Sequence, residues 1–149
     1  MSARVLLTGW YSFLHGEATS GDVLAGEAVT AVLDSLGRPY DVVWSPGFRP
    51  GALHVESVDP ADYDTVVFAC GPLHSMAPGP GIPSPLLDLH ERFAHCRRIA
   101  VGVSVPDWTD PAVTGFDVVL PREARGVPPV PDLALAAPEP DAVPVVGVI

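Results

Sequence analysis

The sequence predicts an α/β domain, a mainly parallel β-sheet with flanking helices. Three observations carry this. Short continuous apolar runs bounded by glycine or proline recur along the chain, and the first of them, "ARVLLTGW", reads as a strand buried on both faces, as parallel strands are. Between the runs lie segments of helical period or long crossovers. The chain has 149 residues, of which 48% are hydrophobic, enough for one domain with its own core.

Taken in order, residues 4–8 form the first strand. Val23, Leu24, Ala28, Val32 and Leu36 keep close to a 3.6-residue spacing, and Gly37 follows as a stop, so 22–36 is expected to be a helix of about four turns. "YDVVWSP" is the second strand, closed by Pro46, and "DYDTVVFACG" the third, closed by Gly71. The prolines of 71–83 lack donors and fix φ, which makes that stretch a long loop. Ser84 suits an N-cap and Pro85 the first position of a second helix, "PLLDLHERFAHC", with Leu86, Leu89, Phe93 and Cys96 along one face. "RIAVGVSVP" and "FDVVLP" supply the fourth and fifth strands. With right-handed connections this is a Rossmann-like domain over 1–127. Residues 128–143 read as a proline-rich edge strand and linker, and 144–149, "PVVGVI", as a terminal strand that either joins this sheet or opens a second domain.

The totals exclude several classes. A net charge of −10 argues against nucleic acid as a partner, because that binding rests on Lys and Arg neutralising phosphates. All eight basic residues are arginine, which excludes a P-loop lysine and a lysine Schiff base from this chain. The N-terminal apolar run is too short for a signal-peptide core or a membrane span, and no integral membrane segment is expected. Cys70 and Cys96 have neither C-x-x-C spacing nor the density of a disulfide scaffold, so a cytoplasmic location is expected.

Ligands of open α/β sheets bind beyond the carboxyl ends of the strands. Three elaborate segments leave from those ends: residues 9–21, residues 71–83 and "SVPDWTDP". The first is about a dozen residues long where two to six ordinarily suffice. Gly9 and Trp10 open it, and His15 with Glu17 is either an acid–base or ligand pair or simply a solvated part of the loop. Ser20, Gly21 and Asp22 bring it to a helix N-terminus, where unpaired N–H groups favour an anion. Ser20 or Asp22 also serves as the cap there, and a carboxylate in that place competes with a bound phosphate. Gly9, Gly16 and Gly21 are too widely spaced for the dinucleotide fingerprint, which argues against an NAD or FAD site.

Cys70, with His74 four residues on, invites a cysteine-hydrolase reading. A nucleophile elbow needs a helix at once, however, whereas Pro72 and a long loop follow here, and free cysteine is a common core residue. Gly71 instead reads as a point where backbone approaches a ligand, and His74 as a rim residue. Trp108, between Asp107 and Asp110, either stacks on a ligand or covers the sheet end. Arg122, followed by Glu123 after the fifth strand, is a surface ion pair or the best-placed local cation. His90 and His95 diverge by about 500° of helical turn. They are read as solvated, and no metal site is expected.

In this order the pieces resemble the N-terminal half of the polysaccharide pyruvyl transferase family. The segments that carry the resemblance are "GWYSF" and "SGDVLAGEAV" with Gly21 and Asp22, "VVFACGPL", "RIAVGVSVP", "VVLPREARG" with Arg122 and Glu123, and "PDLAL". The chain departs from the family where "CGPLHS" stands in place of a run of glycines, and where Ala124 and Arg125 stand in place of a serine. The resemblance implies one half of a GT-B-like enzyme more than twice this long, with "PVVGVI" opening the second half and the active site in the cleft between the halves.

It also implies transfer of the pyruvyl group of phosphoenolpyruvate to a sugar of a cell-surface glycan as a ketal. Phosphoenolpyruvate is then the small-molecule donor, a glycan the acceptor, and no separate cofactor is needed. Such chemistry requires cations for phosphate and carboxylate and a general acid/base. This rim offers few cations, so the other half is expected to supply most of the charge and this chain alone to be inactive. Gly9, Trp10, His15, Gly21, Asp22, Gly71, His74 and Arg122 are the expected substrate-binding residues, with no catalytic residue assigned. Two alternatives stand beside this reading: a non-catalytic module binding a small metabolite or nucleotide on the same rim, and a hydrolase using Cys70.

Overall fold

The computed structural model describes residues 4–16 and 18–139. Glu17 and the terminal segment 144–149 lie outside them. Five strands, β1 (Arg4–Thr8), β2 (Tyr40–Val42), β3 (Tyr63–Pro72), β4 (Arg97–Val105) and β5 (Val118–Ala124), form one sheet in the order β2-β1-β3-β4-β5. Every neighbouring pair is parallel, as the continuous apolar runs require. The domain is the Rossmann-like α/β sheet that the sequence predicts.

Helices cover both faces. Helix α1 (Ser20–Ser35) lies on one, where Leu33 and Val29 meet Val5, Leu7, Val67 and Ala69. On the other, Leu86 and Leu89 of α2 (Pro85–Arg92), Phe93 directly after it, and Ala112 and Val113 of α3 (Pro111–Thr114) join Leu6, Val66, Phe68, Ala100 and Val103. Val43, Val55 and Val58 of the long β2–β3 connection complete that core. The β1–β2 crossover therefore runs over one face and the later crossovers over the other, which places a topological switch between β1 and β3.

Several elements differ from the sequence reading. The buried stripe of α1 is Ala25, Gly26, Ala28 and Leu33, while Leu24, Val32 and Leu36 are exposed. The helix is apolar on nearly every side, so its spacing underdetermines the buried face. Strand β2 is only three residues long, because the chain after it turns to bond the β1 loop: Ser45 N–H donates to Tyr11 O (2.8 Å) and Ser12 Oγ donates to Val43 O (2.7 Å). His90, expected at the surface, is 8% exposed. It packs against Phe116 and over Gly115, with its Nε2 against Ala112 O at 2.9 Å, because the short helix α3 covers it.

The proline-rich stretch expected as an edge strand contains no strand between 128 and 139. Val130 N–H donates to Arg122 O of β5, and a single 3-10 turn, Leu133–Ala136, then crosses the sheet to lie against α1. Gly102 of β4 makes room for this turn, since a Cβ there would stand 2.5 Å from Leu133 Cδ1. Prolines deny the segment the ladder donors of a strand.

Candidate functional site

Gly9 follows strand β1 in extended backbone, and only glycine fits there: a Cβ would come 2.5 Å from the Tyr11 ring and 2.8 Å from Ala69 O. The chain then makes a 3-10 turn, Trp10–Ser12, which swings the Trp10 indole over the end of β3. Its Nε1–H donates to Pro72 O at 2.8 Å, and its edges meet Phe13 and Phe68. His74 stacks on it, 4.8 Å between centroids and 26° between planes. Gly71, at φ +78°, lies directly beneath, and a Cβ there would run into Trp10 Cδ1. Gly71 thus admits the indole and also lines the crevice that the indole borders.

The end of β3 is distorted to make this seat. Cys70 has φ +72°, unusual for a residue with a side chain, and it has no register partner: Ala69 pairs with Val101 and Gly71 with Val103. Gly102, opposite, is also left-handed at φ +66°. Ser75 N–H donates to Asp110 Oδ2 (3.1 Å), which ties the 71–83 loop to the loop after β4, and Leu73 N–H donates to Ser104 O (2.9 Å).

Helix α1 completes the wall. Its N-cap is Thr19, one residue before Ser20, and Asp22 answers it in a capping box. Thr19 Oγ1 accepts from Asp22 N–H (3.2 Å), while Asp22 Oδ2 accepts from Thr19 N–H and Thr19 Oγ1, both at 2.8 Å. A carboxylate of the protein itself thus stands at the helix N-terminus, where it competes with any bound anion. Gly21 sits in the first turn and does not line the crevice.

Between these elements opens a cavity of about 330 Å³ at the β1–β3 switch point. Trp10, Gly71, Pro72 and His74 form one side, Thr19 and Asp22 the other, with His15 and Gly16 from the first loop and Met76 and Pro78 from the second. Of the residues expected to bind substrate, Trp10, His15, Asp22, Gly71 and His74 line this cavity, Gly9 shapes the turn behind it, and Gly21 and Arg122 are not brought to it. Thr19 was not anticipated. The Thr-x-x-Asp spacing of a capping box is the signal that marks it.

Arg122 is spoken for elsewhere. Its Nη1 donates to Asp132 (2.6 Å) and its Nη2 to Ser104 Oγ (3.1 Å) and Glu123 (3.0 Å). Asp132 caps the Leu133–Ala136 turn by accepting from Ala134 N–H, so the arginine holds that turn in place. The Ala134 N–H and the guanidinium together hold the Asp132 carboxyl below the usual carboxylate range. Trp108, 40% exposed, does not line the crevice.

Cys70 is buried, and its thiol is pushed up to about 11, first by that burial and then by the negative charge of Asp22. A thiol nucleophile needs the opposite shift, toward thiolate at neutral pH. The hydrolase reading therefore has no activated nucleophile here. His95 and Cys96 are adjacent, but His95 Nε2 faces Pro60 O (3.0 Å) and Tyr63 O (3.3 Å), and Cys96 Sγ donates to Tyr63 O. Among the described residues no three His, Cys, Asp or Glu side chains are grouped so as to hold a metal ion, and no helix is long and apolar enough to cross a membrane.

The fold and crevice define a class, a parallel α/β domain with a ligand-sized cavity at its switch point. No protein-family model matches the chain, and no curated protein does. Among solved structures it is similar to a flavodoxin of Streptococcus pneumonia TIGR4, at 15% identity and a TM-score of 0.41, with 91% of this chain and 95% of that one covered.

Proposed function

We propose that this chain is the acceptor-binding half of a polysaccharide pyruvyl transferase-like enzyme, a GT-B-like protein of the cytoplasm that moves the pyruvyl group of phosphoenolpyruvate onto a sugar of a cell-surface glycan. The observation that carries the assignment to the acceptor is the make-up of the crevice. It offers aromatic surface from Trp10 and His74 and polar groups from His15, Thr19 and Asp22, but no guanidinium. Aromatic surface with a few convergent polar groups suits a neutral sugar ring. A trianionic donor would meet Asp22 and no cation. The phosphate and carboxylate of the donor fall to cations beyond this crevice, supplied by the second half.

Segments that carry the family resemblance also meet in space, which supports the reading. Arg122 of "VVLPREARG" bonds Asp132 of "PDLAL" at 2.6 Å. In the reaction two sugar hydroxyls add to C2 of phosphoenolpyruvate, its C2–O bond to phosphate breaks, and its methylene takes a proton to become the methyl of the ketal. One hydroxyl proton goes to that carbon and the other leaves with phosphate. Asp22, His15 and His74 line the crevice, and on this reading they move protons at the acceptor hydroxyls.

A mononucleotide-binding module has the strand order in its favour, since flavin mononucleotide sits at the β1/β3 switch point of that topology. The residues do not fit the group, because the Asp22 carboxylate stands at the α1 N-terminus and no arginine lines the crevice among the described residues.

The test is turnover. The protein read from an open frame extended past Ile149 is expected to release phosphate and form the ketal in equal amounts when given phosphoenolpyruvate and its glycan, and His74→Ala is expected to lower that rate. Ketal formation by the 149-residue chain alone would overturn the division of labour. Absence of phosphate release from the extended protein with the glycans of its own cell surface would overturn the activity.

A further inference from the structure

A second cleft, of about 170 Å³, opens between α1 and the loop after β2, on the other side of the Trp10–Ser12 turn. It shares no lining residue with the strand-end crevice. Tyr11 forms its floor. This ring is 1% exposed, its hydroxyl has no hydrogen-bond partner, and the oxygen lies over Gly26, where a Cβ would stand 3.5 Å away. A buried phenol without an acceptor is costly, and this one belongs to a residue that lines the cleft.

At the mouth, Arg49 lies flat on Trp44, its guanidinium carbon 3.8 Å from the ring centroid. Trp44 is itself held by Tyr11 and Phe48 at 4.8 and 5.6 Å and by its N–H to Leu53 O (2.8 Å). Arg4, Arg38 and Arg122 pair with carboxylates, whereas Arg49 forms no ion pair among the described residues although the chain carries 18 acids. An arginine oriented on an aromatic face with its donors free is prepared for an oxyanion. Glu27 and Thr30 line the far rim. The Glu27 charge disfavours a dianionic phosphate and favours a single carboxylate whose other end carries a hydroxyl or ammonium donor.

We infer that this cleft is a ligand site for a small hydroxy or amino monocarboxylate, its carboxylate held by Arg49 and the Tyr11 hydroxyl and its donor end by Glu27. The site is independent of the glycan crevice. The ligand removes the orphaned phenol, and the stacked guanidinium sets the carboxylate plane.

The test is calorimetric titration of the chain with D-glycerate, L-serine, inorganic phosphate and glycerol, repeated on Tyr11→Phe, Arg49→Ala and Trp10→Ala. Saturable binding of glycerate or serine is expected, roughly tenfold weaker in Tyr11→Phe, lost in Arg49→Ala and unchanged in Trp10→Ala. Glycerol is expected not to bind. Tyr11→Phe keeps the ring and Arg49 is exposed, so both variants fold. Undiminished binding in Arg49→Ala, phosphate binding more tightly than either carboxylate, or no binding of either carboxylate to the parent chain would each overturn the site.

Discussion

Two polar clusters at opposite ends of the same strands differ in how completely they are satisfied. At the amino end, Arg4 grips both oxygens of Asp41 (2.7 and 2.8 Å) and also donates to Tyr40 O, while Tyr63 OH donates to Asp41 at 3.0 Å. At the carboxyl end of β1 and β3, the backbone turns left-handed at Cys70 and Gly71, and buried polar atoms of Thr8, Tyr11 and His74 have no partner. A cluster whose charges are paired with one another inside the protein holds strands together. A rim that carries backbone strain and open polar atoms is arranged for something outside the chain.

The largest way to break this contrast is at Gly71. Gly71→Val adds a β-branched side chain at φ +78° and drives it into the indole, so a loss of about 3 kcal/mol is expected, with the near-UV circular dichroism of Trp10 collapsing. Gly37→Ala, at φ +63° with open space around it, isolates the backbone part and is expected to cost about 1 kcal/mol in urea denaturation.

Next comes the satisfied cluster. The Arg4 guanidinium, helped by Tyr63 OH, holds the Asp41 carboxyl below its ordinary 3.8. A folded value below the unfolded one contributes stability that is present above pH 3.8 and is lost as pH falls through the lower folded value. Asp41→Asn is expected to lower stability by about 1 kcal/mol at pH 7 and to flatten that acid-side loss, read as urea midpoint against pH. Thr19→Ala, which removes the cap of α1, is expected to cost about 1 kcal/mol by the same measure. The smallest effect on stability is chemical: Cys70 is expected to react slowly with iodoacetamide at pH 7.5, its rate still climbing as pH approaches 11 in peptide-resolved mass spectrometry.

Much of this fold is legible in the sequence. Strands buried on both faces leave continuous apolar runs, and Ser84 followed by Pro85 announces α2 by chemistry that is local. Helix α1 is less so, because its apolar surface has no single stripe and only the sheet chooses Leu33 over Val32. The site follows the same division. Trp10, His15, Asp22 and His74 are recognisable because they leave from strand ends, where topology places ligands. That Gly71 serves Trp10, that Arg122 is consumed by Asp132, and that Tyr11 opens on a second cleft depend on pairings 10 to 62 residues apart or on side-chain placement, which no local pattern encodes.

The reading of the strand-end crevice as an acceptor site is tested most directly by amide and indole nuclear magnetic resonance shifts of the ¹⁵N-labelled chain. Neutral methyl hexopyranosides are expected to move the Trp10 Nε1–H, Gly71 and His74 signals in a saturable way, while phosphoenolpyruvate alone leaves them in place. Shifts at those three positions with phosphoenolpyruvate and none with any hexoside would contradict it.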